Sequence, residues 1–463
     1  IQSNDATARS FTNPVTIGGD FTVGGTGNLT FSNTGASALG ATRQITVNTG
    51  INATFAQAFS GSGAGLTKAG AGTLTLTGNN TYTGATTINT GSIVLNNDGD
   101  VTGGAVSFNG NNTGLTVTGG AGVTSTWNLG GGNLGTTNVA VSGLQLRIDG
   151  AGSAGSAVVT NVGILEWGRA GTSGTLLLTD GGQMNVNGEV RTGSTYYGTS
   201  GGANITIGGG TATSTFTGNS GQAFYIGYGE REGSNNNVVT VSSGGVLTNV
   251  GNMFVGHVNN QQGNDLASTA NKLAVTGSGT ASMAGLSVGY AQTAGLVSAP
   301  EKANANIVEV TSGGTLTTTG ISYIGRAGTN FNESNANTLT VSGVGSSWNA
   351  GGQTVYVGHT NNAGAQSNNN ILTVSSGGAL SNINSLIIGF GTGTETGNQV
   401  VLNGGSITAN TITVNTGNSL LIGTGGGSLG GDITNNGAFD INSAGPVSLT
   451  GTISGSGRAT LSA

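Results

Sequence analysis

The segment Val239-Thr240-Val241-Ser242-Ser243-Gly244-Gly245 is the strongest indication of the fold, because it recurs almost unchanged as Leu372-Thr373-Val374-Ser375-Ser376-Gly377-Gly378. Variants of this phrase recur between about residues 171 and 410, at a spacing that drifts between about 28 and 36 residues. Each copy is followed by a second apolar segment that ends in Val or Ile, then Gly, then usually a ring, as at 226–228 and 388–390. A recurring unit of this size predicts a repeat protein.

Apolar and polar residues alternate within each copy, which is the period of a β-strand with one buried face. One copy is too short to bury that face alone, so equivalent strands are expected to stack in parallel. Two inward ladders follow from the spacing: Val241, Val275, Val310, Val341 and Val374, and, two residues earlier, Val239, Leu273, Val308, Leu339 and Leu372. The units are too short for the four-stranded blades of a β-propeller.

The sequence therefore predicts an all-β, single-domain, right-handed parallel β-helix, a β-solenoid with irregular repeats. Four parts are expected along it: an N-terminal part over 1–100, an irregular part over 101–170, the repeat part over 171–410 and a C-terminal strand part over 411–463.

Composition excludes several other classes of protein. Glycine accounts for 92 of 463 residues, but proline for only 3, so the chain is not collagen. Gly, Thr, Asn and Ser are poor helix formers. A net charge of −6 with 11 Lys and Arg argues against nucleic-acid binding. No apolar run is long enough for a transmembrane helix, and the absence of cysteine excludes disulfides and thiolate metal sites.

One stretch of about 35 residues carries a more specific signal. It runs from Leu66-Thr67-Lys68-Ala69-Gly70 through Asn79-Asn80-Thr81-Tyr82 to Thr86-Thr87-Ile88 and on to about residue 96, with the lead-in Gly61-Ser62-Gly63. It closely resembles the autotransporter-associated β-strand repeat of bacterial passenger domains. The resemblance implies an exported, surface-displayed β-helix in which this motif is structural. Ile453-Ser454-Gly455-Ser456-Gly457 is similar to a second lead-in.

The most regular polar feature is an asparagine four residues before each inward Val or Leu: Asn237, Asn271, Asn306, Asn337, Asn370 and Asn398. Asparagine tolerates left-handed backbone geometry, and its amide can both donate and accept along a stack. We expect a structural ladder at a corner of the coil, in which one Asn→Ala change costs about 1 kcal/mol. A cation- or sugar-binding stripe is the alternative.

Rings form a second regular feature beside the Val/Ile-Gly pair. Tyr225, Phe254, Tyr323 and Tyr356 precede the pair and are expected to face outward, because the Val or Ile faces inward. Tyr228, His257, Tyr290, Arg326, His359 and Phe390 follow the glycine. Simple stacking between coils is the favoured explanation for these rings, and the alternative is that the first four contact a glycan or a neighbouring subunit.

The sequence favours a non-enzymatic protein without a catalytic site, metal or cofactor. Its 17 Asp and Glu are scattered, whereas polysaccharide lyases and hydrolases cluster carboxylates in one groove. The expected role is an exported subunit of an extracellular or cell-surface filament that associates with itself head to tail. Alternatives are an autotransporter-type adhesin that binds surface polysaccharide or neighbouring cells, and, less favoured, a polysaccharide lyase or hydrolase.

Overall fold

The computed structural model describes residues 1–96, 99–120, 122–136, 143–169, 173–195, 200–259, 266–292, 300–329 and 331–462. These residues form β-strands and turns and contain no helix. The chain divides into two compact units. Unit 1 comprises Ile1–Val190, Ala203–Asn219 and Gly244–Val246, and unit 2 comprises Arg191–Gly202, Ser220–Ser243 and Leu247–Ala463. The four-part division expected from the sequence stays a prediction.

Unit 1 winds through three parallel sheets, and from Leu29–Phe31 onward successive strands visit them in the order A, B, C. Sheet A contains Arg9–Phe11, Leu29–Phe31, Asn52–Phe55, Thr73–Leu76, Ser92–Leu95, Gly114–Thr118, Leu144–Asp149, Gly174–Thr179 and Ala203–Ile207. Sheet B contains Ala36–Ala38, Ala58–Gly61, Asn79–Tyr82, Asp100–Thr102, Ser125–Asn128, Ala157–Val162, Gln183–Val186 and Ser214–Thr217. Sheet C contains Gln2–Ser3, Phe21–Gly25, Arg43–Val47, Leu66–Ala69, Thr86–Ile88, Val106–Phe108, Leu134–Thr136 and Leu165–Trp167. Val190–Thr195 is the next strand of the chain and ends in unit 2.

Unit 2 is also built from parallel strands stacked coil on coil, and most of its coils contain one short and one long strand. Its short strands pair in parallel and are Val238–Val241, Lys272–Thr276, Ile307–Thr311, Thr338–Ser342, Ile371–Ser375, Gln399–Asn403, Ser419–Ile422, Ala438–Asn442 and Arg458–Ser462. The remaining major strands are Phe224–Gly229, Gly245–Val258, Thr280–Ala291, Thr315–Thr318, Ser322–Ala327, Ser347–Thr360, Ala379–Gly391, Gly405–Val414, Gly427–Asn435, Val447–Thr450 and Ile453–Ser454. Two small parallel pairs join Ser200–Gly201 to Ser234–Asn235 and Leu266–Ala267 to Glu301–Lys302.

The predicted register is confirmed in unit 2. Val241, Val275, Val310, Val341 and Val374 pair one above another, and all are fully buried. The second ladder, two residues earlier, is equally buried, while Thr240, Thr340 and Thr373 between the ladders are partly exposed. Alternation along a strand places every second side chain in the interior, so the all-β, parallel β-helix prediction is also confirmed.

Coil length varies because turns of different length connect strands that keep their register. Equivalent asparagines in unit 2 are separated by 34, 35, 31, 33 and 28 residues, as the sequence predicts. The next step is only 20 residues. No helix long and apolar enough to cross a bilayer occurs in the described part of the chain.

Candidate functional site

The asparagine and ring features both lie in unit 2, beside a glycine that the long strands share. Gly325 has a left-handed backbone at φ +81°, and a Cβ there would collide with the Asn370 side chain of the next coil. The same relation holds for Gly193 with Asn237, Gly227 with Asn271, Gly256 with Asn306, Gly289 with Asn337, Gly358 with Asn398 and Gly389 with Asn418. The glycine of each Val/Ile-Gly pair therefore makes room for an asparagine.

The asparagine side chains form a continuous hydrogen-bonded stack. Each Nδ2 donates to the Oδ1 of the asparagine one coil further on, at 2.9–3.1 Å, from Asn237 through to Asn418. Each backbone N–H donates to the same oxygen at 2.9–3.2 Å. The six asparagines singled out from the sequence are fully buried, and Asn418, which the sequence analysis missed, is 4% exposed.

The reason given for asparagine was wrong in one respect. The left-handed residue is the one before each ladder asparagine, with φ of 54–58° at Asn236, Ala270, Ala305, Ala336 and Asn369. Asparagine is required because its amide both donates and accepts hydrogen bonds between coils, whereas the left-handed position before it also accommodates alanine.

A serine row supports the stack and was also missed. Ser234, Ser268, Ser334 and Ser367 lie three residues before their asparagines, are fully buried, and accept hydrogen bonds from the asparagine Nδ2 at 3.0–3.1 Å. The Ser334 hydroxyl donates in turn to the Gly289 carbonyl at 2.8 Å. The repeated Ser-x-x-Asn spacing is the signal that could have identified this row. Because the amides are buried and bonded within the protein, this stack offers no accessible group to a cation or sugar.

The rings form a second stack, on both sides of the Val/Ile-Gly pair. Tyr225, Phe254, Tyr323 and Tyr356 are half-buried, while Tyr228, His257, Tyr290 and His359 are buried. Tyr225 stacks on Phe254 at 5.2 Å between centroids, and Tyr323 on Tyr356 at 5.2 Å. Other ring pairs are Tyr228–His257 at 5.4 Å, Phe254–Tyr290 at 5.8 Å, Tyr356–Phe390 at 5.5 Å and His359–Phe390 at 5.7 Å.

The four candidate contact residues fall into two pairs, and Arg326 and Tyr290 together connect them. Ser287 occupies the position in register with Tyr323, so the row of outward rings is interrupted there. The Arg326 guanidinium lies 4.5 Å from the centroid of the Tyr290 ring and 4.5 Å from that of Tyr323. A planar cation on an aromatic face is favourable, and it continues the stack through this coil.

Burial sets the ionisation of the two histidines. The pKa of His257 is lowered to about 4, mainly by burial and in smaller part by the nearby Arg326 charge. The hydrogen bond to Gln292 raises this pKa but does not offset the other two effects. Burial and Arg326 likewise lower the pKa of His359 to about 4. Both imidazoles are therefore neutral at pH 7. Three coils separate them, and among the described residues no three His, Asp or Glu side chains are grouped to hold a metal.

The coil that carries the family resemblance is built from inward-facing residues. Leu66, Leu74, Leu76, Tyr82 and Ile88 are fully buried. Lys68 is buried with them, and its Nζ donates to the carbonyls of Ala69, Gly70 and Thr90 at 2.9, 2.6 and 3.1 Å. An ammonium has three donors, so all three are satisfied by backbone, and burial lowers the pKa of Lys68 to about 8.

Comparison with known families identifies the same coil. The passenger-associated-transport-repeat model matches residues 66–95. This match confirms the resemblance seen in the sequence and is consistent with an autotransporter passenger domain, a class that is displayed at the surface or secreted. No curated protein and no solved structure matches the chain.

Proposed function

We propose that the chain is a non-enzymatic, exported structural protein, a β-solenoid subunit of a bacterial cell-surface or extracellular fibre. The observation that supports this most is where the regular polar residues lie. The Asn370 amide is fully buried and bonded to neighbouring coils, as are its equivalents. A repeated sequence whose regular polar side chains hold the coils together suits a scaffold.

The carboxylates of the described residues also support a non-enzymatic role. Several form ion pairs: Asp149 with Arg147, Glu166 with Arg169, Glu309 with Lys272 and Asp440 with Arg458. Asp180 and Asp432 instead accept hydrogen bonds from the backbone N–H groups of Thr211 and Thr452. A glycosidase needs two carboxyl groups facing one bond across a short gap. Release of reducing ends or unsaturated sugars from a polysaccharide panel would contradict this proposal.

Self-association is the finer part of the proposal. Three apolar side chains of unit 2, Leu449, Ile453 and Leu461, are exposed by 36%, 52% and 80%. Exposed apolar side chains of this kind can pack against a second copy of the chain.

Electron microscopy of the native surface material and light scattering of the purified chain test this association. We expect filaments, which become shorter or disappear on deletion of residues 451–463 while the strand signal in circular dichroism is retained. A chain that stays monomeric at high concentration would contradict the filament and favour the second candidate.

The second candidate is an adhesin that uses the ring stack, because Tyr225, Phe254, Tyr323 and Tyr356 keep part of their surface exposed. Their faces are largely occupied by neighbouring rings at 5.2–5.8 Å, so ring edges and hydroxyls remain for a ligand. A glycan-array signal that is lost in the double variant Tyr323→Ala, Tyr356→Ala would favour this candidate. A signal that the double variant retains would exclude these rings as the contact.

A further inference from the structure

We infer that Arg326 and Phe390 form a binding site for an anionic polysaccharide, in which Arg326 takes a carboxylate or sulfate group and Phe390 takes the face of a sugar ring. This inference rests on the adhesin candidate and adds the class of ligand and the residues that recognise it. It does not depend on the structural role of the coils.

The first step is the unsatisfied cation. Arg326 is half-buried, and its Nε is buried without a hydrogen-bond partner. Among the described residues no carboxylate forms an ion pair with this guanidinium, whereas Arg147, Arg169 and Arg458 each have such a partner. Its contacts are the two tyrosine rings, which hold the guanidinium plane but accept no strong hydrogen bond. The buried Nε is out of reach of a ligand, but the two terminal nitrogens of the half-buried guanidinium keep their donors available for a planar oxyanion.

The second step concerns the charges around it. His257 and His359 are close enough for Arg326 to lower their pKa values, and both are neutral at pH 7. Glu301, whose charge acts on Tyr290, is 1% exposed and accepts a hydrogen bond from Asn332 Nδ2 at 3.4 Å. The local positive charge is therefore fixed in place by the stack and is not cancelled by a direct ion pair.

The third step is the ring that ends the stack. Phe390 contacts Tyr356 and His359 but has no ring beyond it, because the paired register with the following strand stops at Ile388. It is 46% exposed, far more than the equivalent rings of earlier coils. Phe390 lies two coils from Arg326, roughly 10 Å at the spacing of parallel strands. A charged group and a ring face at that separation fit an extended charged saccharide better than a single small anion.

Isothermal titration of the full chain with three polymers tests the site: polygalacturonate, which carries carboxylates, dextran sulfate, which carries sulfates, and neutral dextran. We expect binding of at least one charged polymer and none of neutral dextran. Preference between the two charged polymers identifies the oxyanion. Arg326→Gln should weaken binding about ten- to hundredfold, since it removes charge-assisted hydrogen bonds. Phe390→Ala should weaken it about three- to tenfold.

Arg458→Gln is the matched control, because Arg458 is an exposed arginine of the same unit that is already paired with Asp440. It should bind as the unmodified chain does. Arg326→Lys, which keeps the charge but loses the planar fork, should bind with intermediate affinity, and thermal unfolding of each variant separates lost binding from lost folding. Equal weakening by Arg458→Gln would show non-specific charge attraction and overturn the site. If Arg326→Gln binds as tightly as the unmodified chain, the proposed site is wrong, although the chain could still be an adhesin with its contact elsewhere. Absence of binding to either charged polymer would also overturn the inference.

Discussion

At the scale of single residues, the pairing of one glycine with one asparagine explains the two most regular motifs together. The glycine must adopt a left-handed backbone, and it must also lack a Cβ, because the asparagine of the next coil fills that space. These are separate requirements, and the chain offers positions at which they can be told apart.

Gly325→Ala should destabilise unit 2 by about 2–4 kcal/mol, because it adds backbone strain and a collision with Asn370. Gly352→Ala is the matched control: its φ is +72°, but the nearest atom to an added Cβ is 3.7 Å away. It should cost only about 1 kcal/mol. Denaturant unfolding measures both, and equal costs would show that strain alone decides the effect.

Asn370→Ala should cost about 2–3 kcal/mol, more than the 1 kcal/mol that the sequence alone predicts. The backbone N–H of Asn337 loses its buried acceptor, and a buried unsatisfied donor carries a desolvation penalty. Asn410→Ala, at an exposed position with one side-chain hydrogen bond of 3.3 Å, is the control and should cost under about 0.5 kcal/mol. Hydrogen exchange of the Asn337 amide should accelerate in the first variant only, and an unchanged rate would contradict the stack's structural role.

At the scale of strands, inward and outward positions alternate so regularly that neighbouring residues have opposite roles. Val341 lies in a ladder between Val310 and Val374, and all three are fully buried, whereas Thr340 is partly exposed. The same side chain introduced at the two positions therefore meets water in one case and hydrocarbon in the other.

Val341→Asp should destabilise unit 2 by several kcal/mol, at least about 4, because it buries an unpaired carboxylate. Thr340→Asp, one residue earlier on the same strand, should cost under about 1 kcal/mol. Thermal unfolding followed by circular dichroism compares them. Similar melting temperatures for the two variants would mean that the register described above is wrong.

At the scale of the whole molecule, the two buried histidines make the free energy of unfolding depend on pH in the mildly acidic range. Both have folded-state pKa values of about 4, below the 6.5 of an unfolded histidine. The unfolded chain therefore binds more protons between those values, and stability falls as the pH falls from 6.5 towards 4. The shift corresponds to about 3 kcal/mol for each histidine as an order of magnitude.

Denaturant midpoints measured between pH 7 and pH 4 should show this loss, and the double variant His257→Gln, His359→Gln should flatten it. The carboxylates of Asp180 and Asp432, whose pKa values hydrogen bonds hold below the ordinary 3.8, lose their contribution only at lower pH. A loss of equal size in the double variant would assign the acid sensitivity to groups other than these histidines.

The fold and its register can be derived from the sequence alone, because both follow from local rules. Alternation fixes which face of each strand is buried, and the recurrence of Val341 and its equivalents fixes which strands stack. The sequence also singled out the asparagines, since their spacing from the inward residues is constant even where the turns vary in length. The serine row and Asn418 could not be singled out in this way. They keep a constant spacing from their neighbours in the repeat, but serine and asparagine are common in the rest of the chain.

The contacts that the regular residues make become evident only when the coils are stacked in three dimensions. The sequence places Gly325 and Asn370 far apart, and the collision that makes the glycine obligatory exists only when one coil lies on the next. The sequence also gives no reason to distinguish Arg326 from the rings that follow the equivalent glycine in other repeats. That guanidinium lies between two tyrosines of different coils, without a carboxylate partner among the described residues, because stacking brings together side chains about 30 residues apart along the chain.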